Sequence, residues 1–155
     1  MNVQQKQKQK GFTIIEVVLV LAIAGLIFLM VFIALPALQR SQRDTQRRDD
    51  ISRFVSQLTS FSTNNRGSLP SYAKVSQTGA DGFLQSYMKS DQGEFDDPSS
   101  GDAYTITSSE PSVGQIQYVP GSQCNGEDVV SGGGNRQAAI RTKLEGSGYF
   151  CKSAK

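Results

Sequence analysis

Between Phe12 and Leu38 the chain is almost unbroken apolar, 23 of 27 residues, and Val17 to Leu35 hold no polar side chain at all. As a helix rising 1.5 Å per residue, those nineteen residues span roughly 28 Å, close to the hydrocarbon thickness of a bilayer. Ahead of them MNVQQKQKQKG carries three lysines, four glutamines and no acid, a stretch that does not fold alone. Beyond them the helical period continues in a new form. Ile51, Phe54, Val55, Leu58 and Phe61 share one face, and Asn64-Asn65-Arg66-Gly67 is a C-terminal stop. The pattern predicts one helix from about Phe12 to Asn65, its second half lying against a globular domain. Gly25 and Pro36 are its weak points, where it could bend or unwind.

After Gly67 the chain is rich in turn residues. Phe83, Leu84, Tyr87 and Met88 mark a short helix or irregular segment over Asp81–Ser90. Alternation predicts strands at Ala103–Thr107, Gln115–Val119, Ala138–Leu144 and Gly148–Cys151. The first two are joined through Ser108–Gly114 and the last two through Glu145-Gly146-Ser147. An antiparallel sheet on the Ile51 to Phe61 stripe closes a small core. The expected class is α+β, a long N-terminal helix packed on a small C-terminal antiparallel sheet.

Composition narrows the chemistry. Outside the apolar window only 35 of 128 residues are apolar, so this is a greasy rod joined to a polar body. With no His, a Ser-His-Asp or Cys-His nucleophile, a His base and a His-ligated metal are excluded. Two cysteines cannot complete a zinc site. The net charge of +2 comes from the leader: past residue 11 there are 13 cations and 14 acids, or −1, which is not a nucleic-acid-binding balance. The alternating Arg and Asp residues from Arg40 to Arg53 read as a solvated or intersubunit charged face. Gly132-Gly133-Gly134 lacks the Lys-Ser/Thr ending of a phosphate loop and reads as a flexible linker. Nothing supports an enzyme.

A cationic stretch followed by an apolar one is also how a secretory signal peptide reads. Here the run is longer than a signal core, and no Ala-x-Ala-like site closes it. Glu16 is the anomaly, because a carboxylate one turn into a membrane helix is costly unless paired or held at the interface. A lysine-rich leader ending at Gly11, then Phe12, then Glu16 four residues on, then an unbroken apolar helix resembles the class III signal of type IV pilins and pseudopilins. In this chain it reads Lys10-Gly11-Phe12-Thr13-Ile14-Ile15-Glu16.

The resemblance implies a prepilin peptidase that cuts between Gly11 and Phe12 on the cytoplasmic side and methylates the new Phe12 amine. It implies that Glu16 pairs with the Phe12 amine of a neighbouring subunit, since two charges each costly to bury alone give a register check when joined. It divides the chain into a cleaved basic leader (1–11), a transmembrane and filament-core helix (12–38), its amphipathic continuation (39–66) and a globular head (67–155). The implied partners are copies of the chain in a helical filament, the peptidase, an inner-membrane assembly platform and membrane lipid before assembly, with DNA or a host surface open as ligands. The leader lysines place the N-terminus in the cytoplasm by the positive-inside rule, against a far flank of five arginines and three aspartates. The head is then extracytoplasmic, and later displayed on a surface filament.

Cys124 and Cys151, in a domain expected to face an oxidising exterior, are expected to pair, as in the exposed C-terminal loop of many pilins; two free thiols are the alternative. Asp91, Glu94, Asp96, Asp97 and Asp102 crowd one stretch and form a weak calcium candidate without EF-hand spacing, a solvated acidic turn being the commoner outcome. No other cofactor is expected. The function implied is a structural subunit of a type IV pilus-like filament serving adhesion, twitching motility or DNA uptake. The alternatives are a pseudopilin of a type II secretion system and a membrane-anchored surface binding domain that never polymerises.

Overall fold

The computed structural model describes residues 11–155; the leader lysines Lys6, Lys8 and Lys10 lie outside the described residues. Two compact units divide between Leu38 and Gln39. Helix α1, Ile14–Asn64, contributes its first part to one and its second part to the other. It starts two residues later than the apolar pattern suggested because Thr13 caps it. The Thr13 hydroxyl accepts the Glu16 backbone N–H at 3.4 Å, while the Glu16 carboxylate accepts the Thr13 N–H at 2.8 Å, the reciprocal arrangement of a capping box. The helix runs through Gly25 and Pro36 without a break. One backbone bond removed by proline is outweighed by helix already formed on both sides. It ends as expected: Arg66 and Gly67 both take positive φ, and the Gly67 N–H closes onto the Ser62 carbonyl at 2.8 Å.

In the second unit the short helices α2 (Tyr72–Ser76) and α3 (Phe83–Met88) precede six strands: β1 (Thr105–Thr107), β2 (Gln115–Pro120), β3 (Ser122–Asn125), β4 (Asp128–Ser131), β5 (Ala138–Lys143) and β6 (Tyr149–Ala154). The main sheet has the order β1-β2-β5-β6, with β2, β5 and β6 antiparallel. Against expectation β1 runs parallel to β2, Thr105 opposite Gln115. The Ser108–Gly114 connection carries the chain back to the start of β1 rather than reversing it, and alternation identifies a strand without revealing its direction. The β3–β4 hairpin was not anticipated. Its signal is Asn125-Gly126, with Gly126 at φ 63° in a two-residue loop. Nor is Gly132-Gly133-Gly134 a slack linker. The Gly133 N–H bonds the Gly121 carbonyl at 2.9 Å, and a Cβ at Gly133 would sit 2.8 Å from the Ser122 backbone.

The core forms where the stripe on α1 meets the sheet and small helices. Ile51, Phe54, Leu58 and Phe61 are buried together with Phe83, Met88, Phe95, Ile116, Tyr118 and Ile140. Val55 packs only at the margin. Phe54 is central, its ring centroid 5.4 Å from Phe83 and 5.9 Å from Phe95. Each such side chain contributes about 1.5–3 kcal/mol by leaving water.

Candidate functional site

In the first unit, the candidate processing and assembly residues sit at the start of α1. Phe12 is 90% exposed and nothing crowds Gly11. Glu16 is the only ionisable side chain among residues 11–38. Its Oε2 accepts both the Thr13 N–H at 2.8 Å and the Thr13 hydroxyl at 2.6 Å. Thr13 is the capping residue that the sequence pattern also carries, since Thr13-x-x-Glu16 spells the capping signature. The large apolar side chains that follow, from Val17 to Leu38, are exposed, and the helix is long and apolar enough there to cross a membrane.

In the second unit the charged stretch of α1 is only partly a solvated face: Arg40, Arg48 and Asp49 are exposed, and its other charged side chains are not. Arg47 is completely buried. Its guanidinium meets Asp97 through two bonds, at 2.7 and 3.0 Å, and also donates to Ser99 at 2.9 Å. It reaches Asp44 at 3.0 Å and Glu145 at 2.8 Å. Arg43 grips Glu145 with a second fork, 2.8 and 2.6 Å. Asp44 accepts the backbone N–H groups of Glu145 and Gly146 at 2.8 and 2.9 Å. One turn of α1 therefore clasps two distant loops, the one at Asp97 and the β5–β6 turn. A sequence pattern of alternating charge cannot separate this from a wet surface, because the partners lie 50 and about 100 residues away. Arg53 does the same at its own height, donating to the Glu94 carboxylate at 3.0 Å and the Glu94 carbonyl at 2.7 Å.

These contacts set the charges. Burial pushes the Asp97 carboxyl up, but bonds from Arg47 and Ser99 outweigh it and hold it at about 2. The hydrogen bond from Arg43 brings Glu145 to about 2 as well. Asp50 moves the other way: burial raises it, although the Tyr104 hydroxyl donates to it at 3.0 Å.

The acidic stretch is thus drawn apart rather than gathered. Asp97 is occupied by Arg47, and Glu94 faces Arg53 and, at 3.6 Å, Lys89. Among the described residues no three acidic, Cys or His side chains converge as a metal site, so Asp91, Glu94, Asp96, Asp97 and Asp102 are not gathered into one ligand set. Cys124 and Cys151 are bonded, with Cα atoms 5.7 Å apart, and tie the β3–β4 hairpin to β6. The Cys124 N–H donates to Ser153 Oγ at 2.8 Å beside the bridge.

Residues 6–32 match the prokaryotic N-terminal methylation motif, the class III signal of type IV pilins. No curated protein and no solved structure matches the chain. The match covers the start of the apolar helix, which is long and apolar enough to cross a membrane.

Proposed function

We propose that the chain is a structural subunit of a type IV pilus-like surface filament. Prepilin peptidase cuts it between Gly11 and Phe12 and methylates the Phe12 amine, and the mature subunit polymerises through residues 12–38. In the membrane the head is extracytoplasmic; an inner-membrane platform lifts the subunit into the filament, where the Phe12 ammonium pairs with Glu16 of a neighbouring copy. The observation that carries this reading is the methylation motif over residues 6–32 lying on the start of a capped helix whose sole ionisable side chain before residue 39 is Glu16. A carboxylate and an ammonium are each costly in hydrocarbon and far less so together. Thr13 satisfies the carboxylate until the partner amine arrives.

The test is intact-mass and peptide mass spectrometry of protein recovered from membranes and from sheared surface material. A chain beginning at Phe12 with one added methyl group, present in both fractions, is expected. A chain still beginning at Met1, or cut after Leu38, overturns the proposal in favour of a tethered or secreted domain. Processed protein confined to the membrane overturns the surface filament and favours the secretion pseudopilin.

A further inference from the structure

A cavity of about 400 Å3 opens on the second unit between the segment after α2, helix α3 and strand β1, at the lower end of the range for small-molecule sites. Its floor is apolar, formed by Leu84 and Ile106 with the edge of the buried Tyr104. Its rim is polar: Gln77, Gln85, Asp91 and Thr105 line it from four different segments. None of these four side chains bonds another protein group among the described residues, whereas Ser76 on the same wall already donates its hydroxyl to the Ala73 carbonyl. Amides, a hydroxyl and a carboxylate around an apolar floor, unengaged by other protein groups and open to solvent, are available to a small ligand.

The lining also selects the ligand class. No Lys or Arg is among the described residues that line it, so phosphates, carboxylates and anionic polymers meet a lone acid with nothing to pair them. An added peptide strand is disfavoured too. Strand β1 is only three residues long, and its outer carbonyl at Ile106 already accepts the Tyr72 hydroxyl at 3.3 Å. That leaves neutral molecules with many hydroxyls and an apolar face. Amides and a carboxylate can each bridge adjacent hydroxyls, while sugar C–H groups cover Leu84 and Ile106. We infer that this cleft binds one or two residues of a neutral saccharide, giving the head a glycan-recognition site. The inference goes beyond the filament proposal and holds whether or not the chain polymerises.

The test is saturation-transfer NMR of the full chain in phosphocholine micelles, which present no sugar headgroup, with lactose, maltotriose, cellotriose and the β-1,4 trimer of N-acetylglucosamine as probes. Binding of at least one probe is expected, weakened tenfold or more by Gln85→Ala and by Asp91→Asn. Both positions lie at the rim, so the fold survives, and near-UV circular dichroism confirms it. Arg40→Gln, outside the cleft, leaves binding unchanged. The inference fails if none of the four probes binds, if neither variant weakens binding, or if sialylated lactose binds more tightly than lactose.

Discussion

Replacing Arg47 by methionine keeps most of the side-chain volume and removes the charge from the centre of the clasp. Its consequences are unequal across its partners. Glu145 keeps Arg43, and Asp44 keeps two backbone N–H groups. Asp97, 1% exposed, keeps only Ser99 and its own loop. One buried carboxylate is thus left without its counter-charge, a change that costs about 3–5 kcal/mol, and the partial compensation by Ser99 places Arg47→Met near 3–4. A unit of this size has a total stability of roughly 6–15 kcal/mol, so the loss is a large share of it and lowers Tm by roughly 10–20 °C.

Urea unfolding of the full chain in micelles, followed by tyrosine near-UV circular dichroism, measures it. All five tyrosines lie between Tyr72 and Tyr149, so the signal reports the head and not the apolar half of α1. The double variant Arg47→Met, Asp97→Asn is expected to recover at least 1 kcal/mol of the loss, because the stranded charge is gone. A loss below about 1 kcal/mol for Arg47→Met would show Arg47 behaving as an ordinary surface cation. A double variant weaker than the single would mean that the Asp97 charge is not what the arginine stabilises. Either result refutes the clasp.

Two further outcomes follow from the same geometry. The Cys124–Cys151 bond spans 27 residues of sequence, so the variant with both cysteines replaced by serine should lose about 3–4 kcal/mol by the chain-entropy estimate, with a shift below 1 kcal/mol counting against it. Asp97 and Glu145 titrate in the folded chain at about 2, below their unfolded values of about 3.9 and 4.3. Their contribution is therefore complete above about pH 4.5 and lost as pH falls toward 2, while Asp50, raised by burial, contributes with the opposite sign. Urea midpoints between pH 5 and pH 2.5 should fall, less steeply in Asp97→Asn; a flat profile would contradict the assignment.

The long N-terminal helix of this protein was readable from residue order alone. Its apolar run and its end near Asn64 depend on neighbours within a few positions, and periodicity records such neighbours directly. The same holds for the Ile51 to Phe61 stripe and for where β2 and β5 lie. What needed the tertiary structure is whatever depends on distant partners. The parallel direction of β1 is decided by how Ser108–Gly114 returns. The role of Arg47 is decided by loops 50 and about 100 residues away, which turn an apparent surface charge into the buried link between α1 and the head. The acidic stretch illustrates the reason from the other side. Five carboxylates close in sequence resemble a ligand set, yet folding delivers an arginine to exposed Glu94 and another to Asp97, and at Asp97 the reason is that burying a carboxylate requires a counter-charge, which α1 supplies. Local order determines which elements form; which charges meet is settled only when those elements pack.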